Sequence, residues 1–205
     1  MLRTIRLTTA LICFTLVTLL FLDFTGTLHT WFGWLAKIQF LPAVLALNLG
    51  VVLFLIALTW LLGRVYCSVI CPLGIFQDTV SWLAGKRKKN RFRYSPALSW
   101  LRYGVLAIFI LAMVGGLGAW AALIAPYSAY GRIASNLFAP LWQWGNNLLA
   151  YLAERADSYA FHETEVWLRS LPTFIIAAIT FITLIILAWR NGRTYCNTIC
   201  PVGTV

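Results

Sequence analysis

Four cysteines carry the first chemical signal in this sequence. Cys67 and Cys71 are followed by Pro72, and Cys196 and Cys200 repeat the same spacing before Pro201. The likeness extends beyond the sulfurs. Gly63-Arg64-Val65-Tyr66-Cys67-Ser68-Val69-Ile70-Cys71-Pro72-Leu73-Gly74 recurs 129 residues later as Gly192-Arg193-Thr194-Tyr195-Cys196-Asn197-Thr198-Ile199-Cys200-Pro201-Val202-Gly203, with eight of twelve positions identical. Apolar segments that match by chance share Leu and Val, not Cys and Pro, so this is an internal repeat. Four thiolates gathered from two copies suit an iron–sulfur cluster, and zinc less well. Cys-x-x-x-Cys-Pro is also the tail of the bacterial ferredoxin run, whose final Cys serves a different cluster from its predecessors; the two cysteines of one motif need not share a cluster. The bland reading is a buried thiol acting as a small apolar residue. That reading is taken for Cys13, whereas a duplicated four-cysteine pattern favours ligands.

The elements that must position these motifs are apolar. Of 205 residues, 61% are hydrophobic and 11% charged, against about 25% charged in a soluble domain. The expected fold is an all-α integral membrane protein, a single membrane domain over 1–205. Four stretches, about 7–24, 41–62, 103–124 and 171–189, have the length to cross roughly 30 Å of hydrocarbon. They pair as two helical hairpins, each ending in a motif, at 67–72 and 196–201. The first stretch follows Arg3 and Arg6 like a signal peptide, but Thr25-Gly26-Thr27-Leu28-His29 offers no small-x-small cleavage site, so a retained span is expected. Gly63 and Gly192 let the chain leave a helix, Arg64 and Arg193 sit where cations favour a helix C-terminus, and Pro72 and Pro201 suit the first position of a new helix. After Pro72, Leu73, Phe76, Val80 and Leu83 recur at helical spacing, which predicts an amphipathic helix on the membrane surface ending at Gly85.

Charge sets the expected orientation. With four spans, twelve of the sixteen Lys and Arg fall on one side: Arg3, Arg6, Arg64, the six between Lys86 and Arg93, Arg102, Arg190 and Arg193. Lys37, Arg132, Arg155 and Arg169 fall on the other, with Glu154, Asp157, Glu163 and Glu165. The basic side is assigned to the cytoplasm, which places both motifs and both termini of this chain there, in a bacterial inner membrane. There the glutathione pool disfavours structural disulfides. The Lys86–Arg93 run reads as a topology determinant in preference to a docking patch for an acidic partner or anionic lipid. In the outer loop, residues 137–152 are expected to form a helix lying in the interface. The net charge of +10 is thereby explained by membrane flanks, and a nucleic-acid partner is not expected.

The Gly-Arg-x-Tyr-Cys-x-x-x-Cys-Pro-x-Gly segments, each after a membrane helix, resemble the polytopic iron–sulfur proteins of the NapH and NosR type, over roughly Leu41 to Val205. The resemblance implies an electron conduit from the quinol pool or a flavin partner to a redox acceptor. It also implies [4Fe–4S] as the cluster type, and ferredoxin-type Cys-x-x-Cys-x-x-Cys-x-x-x-Cys-Pro runs binding two such clusters beyond the second motif. This sequence stops at Val205 and contains no such run, so those clusters map to no residue here, and the expectation is a fragment of a longer protein.

Other readings are weaker. His29 and His162 both fall on the outer side, whereas a bis-His haem needs facing histidines within the spans. A quinone site is open near Trp31, Trp34 and Trp60, although tryptophans of this kind commonly form interfacial belts. Asp23 and Asn48 are polar residues at or within spans and so carry a functional flag; the bland alternatives are an outer boundary for Asp23 and a helix–helix bond for Asn48. No Ser/His/Asp set, carboxylate pair or phosphate loop accompanies the thiols, so an electron-transfer subunit with redox partners and membrane lipid around it is expected in place of a stand-alone enzyme. A thiol-based Cu or Zn transporter or sensor is an alternative with the same soft ligands, but Met is scarce, at two residues. A non-redox assembly subunit is the third reading.

Overall fold

The structure, a computed structural model, describes residues 2–23, 26–46, 48–62, 65–87, 98–116, 118–155, 163–166 and 170–204. Every regular element among them is helical. The order is α1 (Leu2–Leu22), α2 (Thr27–Phe32), α3 (Trp34–Lys37), α4 (Phe40–Leu45), α5 (Leu49–Leu62), a π-helical turn at Tyr66–Ile70, and α6 (Pro72–Arg87). Then come α7 (Ser99–Val114), α8 (Gly118–Ile124), α9 (Pro126–Ile133), a second π-helical turn at Ala134–Phe138, α10 (Ala139–Arg155), α11 (Leu171–Asn191) and α12 (Thr194–Thr198).

Among the described residues, two helices, at Thr4–Leu22 and Leu171–Asn191, are long and apolar enough to cross a membrane. The expectation of four continuous spans is corrected at the other two stretches. Residues 41–62 fold as α4 and α5 with a break between them, where the Asn48 N–H donates to Ala43 O and Asn48 O accepts from Val52 N–H to start α5. At 14 residues, α5 is about 21 Å long, short of the ~30 Å core. The stretch 103–124 breaks at Gly115 and Gly116, the latter with φ 72°, a backbone that only glycine adopts without strain. Asn48 is exposed at its helix junction. Asp23 has a local task, accepting the backbone N–H of Gly26 and His29 (3.0 and 3.1 Å) at the start of α2.

The core lies where α1, α6, α9 and α11 meet around the two motifs. Val17, Leu55, Leu73, Tyr130, Ile133 and Leu184 are each at most 2% exposed and pack in one cluster with all four motif cysteines. Tyr130 closes against Phe14 and Phe21 (5.5 and 6.2 Å between ring centroids) and shares a 2.6 Å hydrogen bond with Thr18. Phe181 of α11 stacks on Phe76 of α6. This changes the expected role of the post-Pro72 helix: Leu73, Ile75 and Gln77 are buried, so α6 is wedged into the core at its N-terminal half, whereas nearer its end Trp82 and Leu83 are exposed and Ala84 is buried. The expected outer helix forms as α10, with Leu141, Trp144, Leu148 and Leu152 exposed along one side.

Candidate functional site

Both motifs fold into tight turns closed by the same backbone hydrogen bond. In the first, the Cys71 N–H donates to Tyr66 O at 2.9 Å; in the second, the Cys200 N–H donates to Tyr195 O at 3.0 Å. This five-residue hydrogen bond makes the first turn π-helical, a rare form that recurs at functional sites. The chain then doubles back closely enough to require glycine. A Cβ on Gly74 would lie 2.0 Å from Cys67 O, and one on Gly203 would lie 2.3 Å from Cys196 O. The second repeat thus reproduces the first at the level of single contacts.

The two tyrosines anchor the turns to different elements. Tyr66 donates its hydroxyl to Gln39 Oε1 and accepts the Phe40 N–H, both at 3.1 Å, while the Gln39 amide reaches Ile70 O. Tyr195 donates to Ile124 O at the end of α8. There Arg132 adds hydrogen bonds to Ala122 O and Leu123 O, placing a cation at a helix C-terminus. Arg102 of α7 donates to Gly203 O and Thr204 O, tying the end of the second motif in place.

All four cysteines are buried thiols, from 2% exposed at Cys71 and Cys200 to 7% at Cys196 and 8% at Cys67. Burial pushes the Cys71 and Cys196 thiols well up, and the neighbouring cysteines push them further in the same direction. Cys200 is raised to about 12, again mainly by burial. Opposing this, the backbone N–H groups of Leu73 and Gly74 point at Cys71, and those of Val202 and Gly203 point at Cys200. Each motif's second cysteine therefore sits in the electropositive start of the following turn, a setting that favours thiolate. Such a set must be neutral by itself and becomes fully ionised only around a strong cation.

Among the described residues, no three His, Cys, Asp or Glu side chains stand close enough together to hold a single metal ion. Soft sulfur donors in a dry core, with backbone N–H groups directed at the sulfurs of Cys71 and Cys200, are a donor set that iron–sulfur chemistry uses.

The sequence located the cysteines but misjudged their supports. Gly192 ends α11 with φ 73° as expected, and α6 begins at Pro72, but Pro201 opens a turn closed by Thr204 N–H to Pro201 O. Arg193, expected to serve a helix end, forms instead a two-pronged ion pair with Asp78 of α6. Its counterpart Arg64, with Gly63, lies outside the described residues, as do His162 and the run from Lys88 to Arg93. Gln77 was not singled out at all; it is fully buried and donates Nε2–H to Cys196 Sγ at 3.3 Å. A polar residue on the otherwise apolar side of the post-Pro72 helix was the available signal.

Comparison with known proteins reaches the same two segments through a family model. A family model described as a 4Fe-4S binding domain matches residues 44–90 and 173–205, which hold one motif each. The ferredoxin-type protein NapH of Haemophilus influenzae is 33% identical over 94 residues, 45% of this chain and 31% of that protein. The methylamine utilization ferredoxin-type protein MauN of Paracoccus denitrificans is 36% identical over 153 residues, 73% of this chain and 40% of that protein. The chain thus spans well under half the length of either relative. No solved structure matches it significantly. These similarities support an iron–sulfur electron-transfer protein.

Proposed function

We propose that this chain is the membrane part of an electron-transfer protein, with Cys67, Cys71, Cys196 and Cys200 as the ligands of iron–sulfur chemistry at the cytoplasmic face of a bacterial inner membrane. The observation that carries this reading is the duplicated turn: two turns closed by the same Cys-to-Tyr backbone hydrogen bond and the same glycine contact deliver four buried thiols to one core. When bound, an iron–sulfur cluster supplies one-electron carriage without a change of bonding partners. The chain's own residues exclude water, orient the sulfurs through the Gly74 and Gly203 contacts, and direct backbone N–H groups at Cys71 and Cys200.

A quinol or flavin donor and a partner redox protein as acceptor complete the reading. A cavity of about 440 Å³ lies beside the first motif, lined by Phe40, Leu55, Trp60, Tyr66, Cys67 and Arg102 among others. Its size falls within the range of small-molecule sites. Its walls are mainly apolar, with Arg102, Cys67, Thr59 and Thr204 as the polar exceptions beside Tyr66, and suit the ring of a quinol approaching from the bilayer. Multi-pass insertion is supported by the two apolar helices, of which only 11% and 17% is buried within the protein. The exposed side of α10 then lies in the lipid interface.

Anaerobic purification tests the proposal directly. Iron and acid-labile sulfide should copurify with the full chain, with a broad visible band and an EPR signal on reduction. Cys71→Ser and Cys200→Ser should each lose the cluster while the protein still fractionates with membranes, since insertion depends on the apolar helices. If all four Cys→Ser variants retain iron and sulfide at the wild-type level, the repeat is a structural device and an assembly role takes its place.

A further inference from the structure

Gln77 is a costly residue for its position. It is 0% exposed, in the half of α6 that is wedged into the core, and its Oε1 has no hydrogen-bond partner. An amide buried with one group unpaired is worse for stability than an apolar side chain of the same shape. Something must offset that, and the partner of its other end is the sulfur of Cys196, 3.3 Å from Nε2. A ligating sulfur carries no proton, so only the N–H side of the amide can meet it.

The contact crosses the repeat. Gln77 follows the first motif by a few residues, and Cys196 belongs to the second, 119 residues away. The next residue, Asp78, also reaches across and holds Arg193, three residues before Cys196. Two consecutive residues of α6 thus clasp the second motif, one fixing its start by charge and the other placing a donor on its first cysteine. The ion pair is partly exposed, at 31% and 38% for Arg193 and Asp78, and serves as a tether. The amide is fully dry, where a dipole acts on a nearby charge with little screening.

We propose that Gln77 is a positioning residue that acts through Cys196: its amide N–H stabilises negative charge on that sulfur and so raises the reduction potential of the iron–sulfur group Cys196 ligates. The inference rests on the ligand assignment given under Proposed function. Reduction of the loaded protein by dithionite adds one electron and makes or breaks no bond. The added negative charge spreads onto the ligand sulfurs, so a donor aimed at one of them favours the reduced state over the oxidised one. Hydrogen bonds to the sulfurs are among the determinants of cluster potential.

The experiment is an anaerobic dithionite titration of the full chain followed by EPR, with iron content and melting temperature measured on the same samples. Gln77→Met keeps the length and bulk and removes the donor. It should load iron and show a lower midpoint, by about a tenfold change in the reduction equilibrium, which is ~59 mV for one electron. Gln77→Asn keeps the amide one methylene further from the sulfur and should fall between Gln77→Met and wild type. A wild-type midpoint in a loaded Gln77→Met protein overturns the inference and leaves the ligand assignment standing. If Gln77→Met cannot be loaded, loading restored by Gln77→Asn supports a need for the amide, and loss in both variants overturns the inference in favour of a packing role. If the wild-type chain yields no iron–sulfur signal, the ligand assignment fails first and this inference with it.

Discussion

Replacing Gly74 by alanine should damage the site more than its chemistry suggests, because the clash is with backbone. The added Cβ would stand 2.0 Å from Cys67 O, while real Cβ atoms essentially never approach a heavy atom within 3.0 Å. Either α6 or the Tyr66–Ile70 turn must therefore retreat by about 1 Å. Overpacking of this kind costs about 1–3 kcal/mol, only partly offset by the ~0.5–1 kcal/mol that alanine gains over glycine in a helix. The displaced groups are the Cys67 carbonyl and the Gly74 N–H that points at Cys71. Iron binding should accordingly weaken by about 10–100-fold, the range for outer-shell changes. Gly203→Ala begins from 2.3 Å and should do the same slightly less severely. Gly104→Ala in α7 is the control: nothing lies within 4 Å of its Cβ, so it should stabilise by about 0.5–1 kcal/mol with unchanged iron. Thermal unfolding in detergent and iron per chain are the assays. Wild-type stability and iron content in Gly74→Ala would refute the claim that this contact sets the motif geometry.

Two further outcomes follow. Tyr66→Phe orphans both Gln39 Oε1 and the Phe40 N–H, each at about 1–3 kcal/mol, whereas Tyr195→Phe removes one bond to Ile124 O at about 1 kcal/mol; equal losses in thermal unfolding would show that the two anchors are interchangeable. If the broken helix pairs α4–α5 and α7–α8 also cross the bilayer, a reporter active only in the periplasm should be silent when fused after Gly85 and active after Asp157, the sides to which the four-crossing count of Lys and Arg assigns them; the reverse pattern inverts the proposed orientation, and equal activity at both sites leaves only α1 and α11 as crossings.

The motif turns were legible because their determinants are local. The Cys spacing, the Pro after each second Cys and the Gly two residues further on all lie within twelve residues, and the repetition exposed them without any knowledge of packing. The helix breaks were half legible. Hydropathy over 103–124 is continuous, and the Gly115–Gly116 pair was visible in it, but a summed window carries no penalty for one residue at positive φ. Over 41–62 only Asn48 marked the junction, and a single asparagine is equally consistent with a bond between helices. The clasp on the second motif was not legible. Gln77 and Asp78 meet Cys196 and Arg193 across 119 and 115 residues, and such pairings follow from how α6 docks between α1 and α11, which no local pattern encodes. The same docking turned an expected surface helix into a core element: Leu73 and Phe76 were read as a membrane-facing stripe, yet they pack against protein.

The charge balance of the core explains why the clasp falls where it does. Four thiols within one dry cluster resist ionisation both by burial and by mutual repulsion, so any arrangement that carries them as thiolates needs positive potential from several directions. At Cys71 and Cys200 the backbone supplies it, through the paired N–H groups of the residues just beyond each proline. Cys196 lies earlier in its turn, before the proline, and its supply comes from side chains: the Gln77 amide at 3.3 Å and the Arg193 guanidinium, which lowers the cost of charge there. Asp78 in turn holds the Arg193 guanidinium in a two-pronged ion pair. Removing Asp78 would free that cation to move, whereas removing Gln77 would strip a neutral donor from an otherwise intact electrostatic frame. The two neighbours on α6 thus do separable work on one sulfur, and Gln77 is the position at which its charge can be altered without changing the net charge of the site.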